Sequence, residues 1–119
     1  MVGVIPGEVH MQKQLVAIGY RDISGEPGNF LLQGCQARGH EFHYSSFKPT
    51  PPVEGMEHAW NPPTAAYQVE AYGRVQKEGY LRGNLVAGYT HLHFASQPQL
   101  AENWLKKCVE WKNRRKRLR

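Results

Sequence analysis

Cysteine is scarce in this 119-residue chain: Cys35 and Cys108 are the only two, and they lie far apart. They form no CxxC pair, which argues against a disulfide framework or a zinc knuckle, so both are expected as reduced core thiols. No stretch approaches the roughly 18 apolar residues of a membrane span. The first residues also lack the basic-then-apolar layout of a secretory leader. The expected compartment is therefore the cytoplasm, with no membrane partner. Internal repeats are missing, and so is any GxxxxGK[ST] sequence, which leaves no residues to form a P-loop around a nucleotide.

What is present is ordinary globular material, 40% hydrophobic and 21% charged. That composition excludes disordered, fibrous and membrane classes, and the length suits one domain. A formal charge of +5 suggests nucleic acid until its location is checked. Lys112, Arg114, Arg115, Lys116, Arg117 and Arg119 place six positive charges in the last eight residues, leaving a net of one negative charge on the rest. Cations at a helix end are favoured by its dipole and aid solubility, so nucleic acid is not the expected partner.

Apolar and β-branched runs divided by Gly, Pro and Asn predict strands over 1–7, 16–23, 29–36, 41–47, 65–72 and 80–82, with antiparallel neighbours. The stretch 85–94 is the most strand-like. Turns are expected at Gly73-Arg74, Lys77-Glu78-Gly79 and Gly83-Asn84, and the proline-rich stretch 48–64 as a surface loop. The last segment predicts a helix capped by Ser96, with Pro98 in its first turn. Leu100, Trp104, Leu105, Cys108 and Trp111 would lie on one face, packed on the sheet.

Chemistry is concentrated in two segments, Arg38-Gly39-His40-Glu41-Phe42-His43-Tyr44 and Tyr89-Thr90-His91-Leu92-His93-Phe94. Residues two apart on a strand share a face, so His91 and His93 would project together. Such a pair suits a metal, but a site needs a third ligand, and on a strand His40 and His43 face opposite ways. A single imidazole at a strand end also suits proton transfer to and from a reacting group. Hydrogen bonding of all these histidines within a half-buried sheet is a third alternative.

Five segments occur in order: Gly3-Val4-Ile5-Pro6-Gly7, Gly19-Tyr20-Arg21, Arg38 to Ser45, Gly79 to Asn84, and Tyr89 to Ser96. Together they resemble the C-terminal glutaminase part of the cobyrinic acid a,c-diamide synthase family. The resemblance runs from Met1 to about Trp111 as a partial amidotransferase domain, with 112–119 as a basic tail. It implies an α/β fold, the C-terminal part of a class I glutamine amidotransferase-like, flavodoxin-like domain, strand-rich with a C-terminal amphipathic helix.

In that family an ATP- and magnesium-binding domain activates the a and c acetate carboxylates of a corrinoid, and glutamine hydrolysis at a cysteine elbow supplies ammonia. The resemblance places His91 at the catalytic histidine and makes Glu41, His43 and His93 candidates for shaping the glutamine site, with Tyr44 and Ser45 weaker. His93 stands where related amidotransferases carry a glutamate. The nucleophile is expected outside this chain, since Cys35 and Cys108 match no elbow, and so are ATP, magnesium and the synthetase domain. The chain is therefore expected to be a fragment, inactive alone. Two other readings stay open: a small metal-binding protein using His40, His43, His91 and His93, and a basic-tailed nucleic-acid-binding module.

Overall fold

The computed structural model describes residues 3–55 and 64–118. The described residues form nine strands followed by a short 3-10 helix and one long helix. Every described pairing is antiparallel. Strands β1 (Gly7–Met11) and β4 (Ser45–Pro49) form one ribbon. A five-stranded sheet runs β6 (Arg74–Glu78), β5 (Tyr67–Ala71), β2 (Ala17–Gly25), β3 (Gln36–His43) and β9 (His91–Leu92). Strands β7 (Tyr80–Arg82) and β8 (Leu85–Ala87) form a separate hairpin over the predicted Gly83-Asn84 turn.

Burial alternates residue by residue along β2, β3 and β5, the period of a sheet with one face covered. Ile23, Ala37, Tyr67 and Val69 point to the covered face, where they meet Leu32, Ala66, Leu81 and Leu100 in one core. Tyr20, Phe42 and Ile18 lie on the opposite face, which is open.

Several expected elements form differently. The 1–7 strand is irregular over residues 3–6, with Val4 half exposed, and the strand begins at Gly7; Met1 and Val2 lie outside the described residues. Part of the 48–64 loop, residues 56–63, is also outside them. The 29–36 strand is a turn. Buried Asn29 accepts the Leu31 and Leu32 backbone N–H groups on Oδ1 and donates Nδ2 to the Ala66 carbonyl, diverting that backbone from a ladder.

The turn expected at Gly73-Arg74 falls one residue earlier, at Tyr72-Gly73, whereas Lys77 and Glu78, also expected in a turn, belong to β6. Tyr72 and Gly73 both have positive φ, so they make a tight hairpin turn that sends the chain straight back along β5.

The long helix α1 spans Gln99–Arg117, so the basic residues 112–117 continue the helix as its last turns. Ser96 does not cap it. It sits in the 3-10 helix Phe94–Ser96, accepting the Arg38 N–H and donating to the His93 carbonyl. The apolar face is not covered by the sheet: Leu100 alone is buried, while Trp104, Leu105 and Trp111 are about half exposed and Cys108 is exposed. Helix α1 enters the core through Leu100 in its first turn, and Asn103 ties the next turn to the Leu31 carbonyl at 2.8 Å.

Candidate functional site

The predicted 85–94 strand breaks at Gly88-Tyr89-Thr90, and this break sets where His91 sits. Glu78, at the end of β6, reaches the turn and accepts the Tyr89 N–H at 2.7 Å and the Thr90 N–H at 3.4 Å. Those donors are thus lost to strand pairing. The chain then pairs with β3 for two residues, His91 opposite His40 and Leu92 opposite Gly39, and the His93 N–H bonds the Arg38 carbonyl. Gly39 permits this approach. A Cβ at that position would stand 2.6 Å from both the His91 carbonyl oxygen and Ile23 Cδ1.

His91 and His93 do come together, although the strand ends at Leu92 and only His91 belongs to it. Both line a cleft of about 880 Å³ on the open face of the sheet, shared with Tyr20, Arg38, His40 and Tyr72. His40 meets Tyr20 edge-on, with ring centroids 5.7 Å apart. Arg38 spans to Asp22 at 3.4 Å, an exposed pair of little energetic weight. An accessible imidazole in a cleft of this size is placed to meet a small substrate.

Glu41 and His43, on the same strand as His40, project to the other side. Glu41 is buried, and both of its oxygens are engaged. Oε2 accepts Arg21 Nε at 3.2 Å, with Nη2 at 3.1 Å, and Oε1 lies 2.8 Å from the Thr90 hydroxyl. His43 donates Nδ1–H to the Ser45 carbonyl at 2.7 Å and stacks on Tyr89 at 3.8 Å, while the Tyr89 hydroxyl bonds Ser45 Oγ at 2.8 Å. These groups border a second, smaller cleft of about 520 Å³. The sheet therefore separates His91, His93 and His40 from Glu41 and His43. Tyr44 is partly exposed and packs edge-on against Phe42.

Among the described residues, no group of three or more His, Cys, Asp or Glu side chains comes close enough to hold a metal ion. Neither cysteine reaches the His91 cleft. Cys35 packs beside the core, where burial pushes its thiol pKa up and disfavours the thiolate a nucleophile needs. Cys108 lies on the exposed flank of α1, not in the core.

Sequence reasoning missed the roles of Arg21, Glu78 and Thr90. Arg21 and Thr90 lie within the motifs Gly19-Tyr20-Arg21 and Tyr89 to Ser96, but their partners are 20 and 49 residues away along the chain. Only the register brings them together. Glu78 is hidden because Lys77-Glu78-Gly79 reads as a turn, whereas Glu78 ends strand β6.

Comparison with known proteins agrees with the motif order. Residues 1–99 match the family described as the CobB/CobQ-like glutamine amidotransferase domain. The chain is 46% identical over 117 residues to the cobyrinate a,c-diamide synthase of Priestia megaterium, covering 98% of this chain and 23% of that protein. It is 36% identical to the enzyme of that name from Salmonella typhimurium, over 88% of this chain and 22% of that protein. With the Thermoplasma volcanium protein it shares 31% over 96% of this chain and 23% of the relative. The chain thus spans less than a quarter of the length of these relatives. No solved structure matches it.

Proposed function

Because the chain belongs to the CobB/CobQ-like glutamine amidotransferase domain family, we propose that it forms the histidine-bearing half of a glutaminase site, with His91 as general base and acid. The observation that carries this reading is His91, exposed on a two-residue strand at the rim of the open-face cleft, inside the motif that the family match covers. An imidazole there can take the proton from a cysteine thiol as the thiolate attacks the glutamine carboxamide. It can then return that proton to the departing ammonia. Water hydrolyses the resulting thioester to glutamate and regenerates the thiol.

The cysteine is assigned to a segment other than those carrying Cys35 and Cys108. His93, on the same cleft, is assigned to substrate contact. Glu41 and His43 are assigned to the framework behind the sheet, because their polar atoms are engaged there.

The relatives are cobyrinate a,c-diamide synthases, and the proposed parent activity is glutamine-dependent amidation of the a and c carboxylates of cobyrinate, with the cytoplasm as its proposed compartment. Its ATP and magnesium would be held by other residues, since this chain contains no GxxxxGK[ST] sequence.

The test is a chimaera in which this chain replaces the matched quarter of the Priestia megaterium relative. It is expected to release glutamate from glutamine, and His91→Ala to lower that rate by at least about 100-fold with the fold intact by circular dichroism. Unchanged glutamate release in His91→Ala would overturn the assignment.

A further inference from the structure

Strand β9 pairs with the sheet through only two residues, too short a ladder to fix the direction of a side chain by itself. Its placement is completed from behind by a buried polar cluster on the opposite face. The Thr90 hydroxyl lies 2.8 Å from Glu41 Oε1 and 2.8 Å from Glu78 Oε2, and Thr90 is buried. Arg21 neutralises Glu41, and both side chains are about nine-tenths buried. Glu78 meanwhile holds the two backbone N–H groups just before His91. A hydroxyl has one proton, so Thr90 donates to one carboxylate at a time, but either bond pins the same atom between β3 and β6.

We propose that Thr90, clamped between Glu41 and Glu78, is the positioning residue that aims His91 into the open-face cleft. The arrangement works through the sheet: the residue before His91 is held on the buried side, so His91 must project to the other. Gly39 completes the seat, because a Cβ there would stand 2.6 Å from the His91 carbonyl oxygen and hold β9 off β3. Glu41, inside one of the two histidine-bearing motifs, thereby acts on His91 without sharing its cleft. The functional consequence rests on the glutaminase reading above, but the coupling itself does not.

Two variants isolate the hydroxyl: Thr90→Val keeps the shape and removes it, and Thr90→Ser keeps it. On the intact 119-residue chain, NMR should show the His91 imidazole resonances shifted in Thr90→Val. Amide exchange at His91 and His93 should rise by roughly tenfold or more, with Ile23 unchanged as internal reference. Thr90→Ser should restore both. His91 resonances unmoved by Thr90→Val, or exchange rising equally at Ile23, would overturn the positioning role.

In the chimaera, Thr90→Val should lower kcat for glutamine hydrolysis roughly 10- to 100-fold with KM little changed, and Thr90→Ser should recover it. If His91 responds by NMR while His91→Ala leaves hydrolysis intact, the glutaminase reading fails and the positioning role stands. If His91→Ala abolishes hydrolysis but Thr90→Val alters neither spectrum nor rate, the positioning role fails alone.

Discussion

The Tyr67 phenol lies in the core at 4% exposure, and its residue pairs with Glu78 across β5 and β6. Burial first, and the Glu78 charge second, push its pKa from 10.0 up to about 12. The folded chain therefore keeps a proton that the unfolded chain releases in this window. The contribution to stability is fully present below pH 10 and is lost as pH rises through about 12. Thermal melts across this range should show the wild type losing stability more steeply than Tyr67→Phe; parallel slopes would refute it. Residues like this show what the sequence holds and what it hides. His91 could be singled out because its motif is local. The pairing of Glu41 with Arg21 could not, since it depends on Gly19 aligning with Glu41 across the β2–β3 register.

Elements were legible where side-chain period and turn chemistry agreed. Strands β2, β5 and β7, the Gly83-Asn84 turn and the helix all fall close to where their patterns placed them. The pattern failed where one side chain captured backbone donors, as Asn29 does before β3 and Glu78 does before β9. It failed again at α1, whose stripe forecast a packed face. Periodicity reports which residues share a face, not whether anything covers it. Leu100 is fully buried while Leu105 is 56% exposed on the same helix. Leu100→Ala should therefore cost about 2–5 kcal/mol and Leu105→Ala within about 0.5 kcal/mol in urea unfolding of the chain. Equal losses would mean that the whole helix face is packed.

The whole molecule is a slab, 50 × 44 × 23 Å, with a radius of gyration of 16.2 Å. A compact chain of this length would have about 13.5 Å. Its accessible surface is 9178 Å², where a compact protein of this mass would show roughly 6,600 Å². The excess is on the scale of a large protein interface; exposed apolar residues lie on the open sheet face, on the flank of α1 and along β1, where Val9 and Met11 are uncovered. The core is correspondingly small, and of the helix only Leu100 is buried in it. Composition could not reveal this, because it counts apolar residues without saying how many find a neighbour.

The brevity of β9 also bears on the order of assembly. Strands β2 and β3 are close in sequence and share eight registered pairs, whereas β9 must return across nearly 50 residues to make two. Chain closure costs entropy before those two pairs offset any of it, so the sheet should form first and receive β9 afterwards. Refolding kinetics check this: Thr90→Val should accelerate unfolding and leave the folding rate nearly unchanged, while Ile23→Val should slow folding. A slowed folding rate in Thr90→Val would place β9 in the nucleus instead. During synthesis, then, the histidine strand emerges to find its slot beside Gly39 already built.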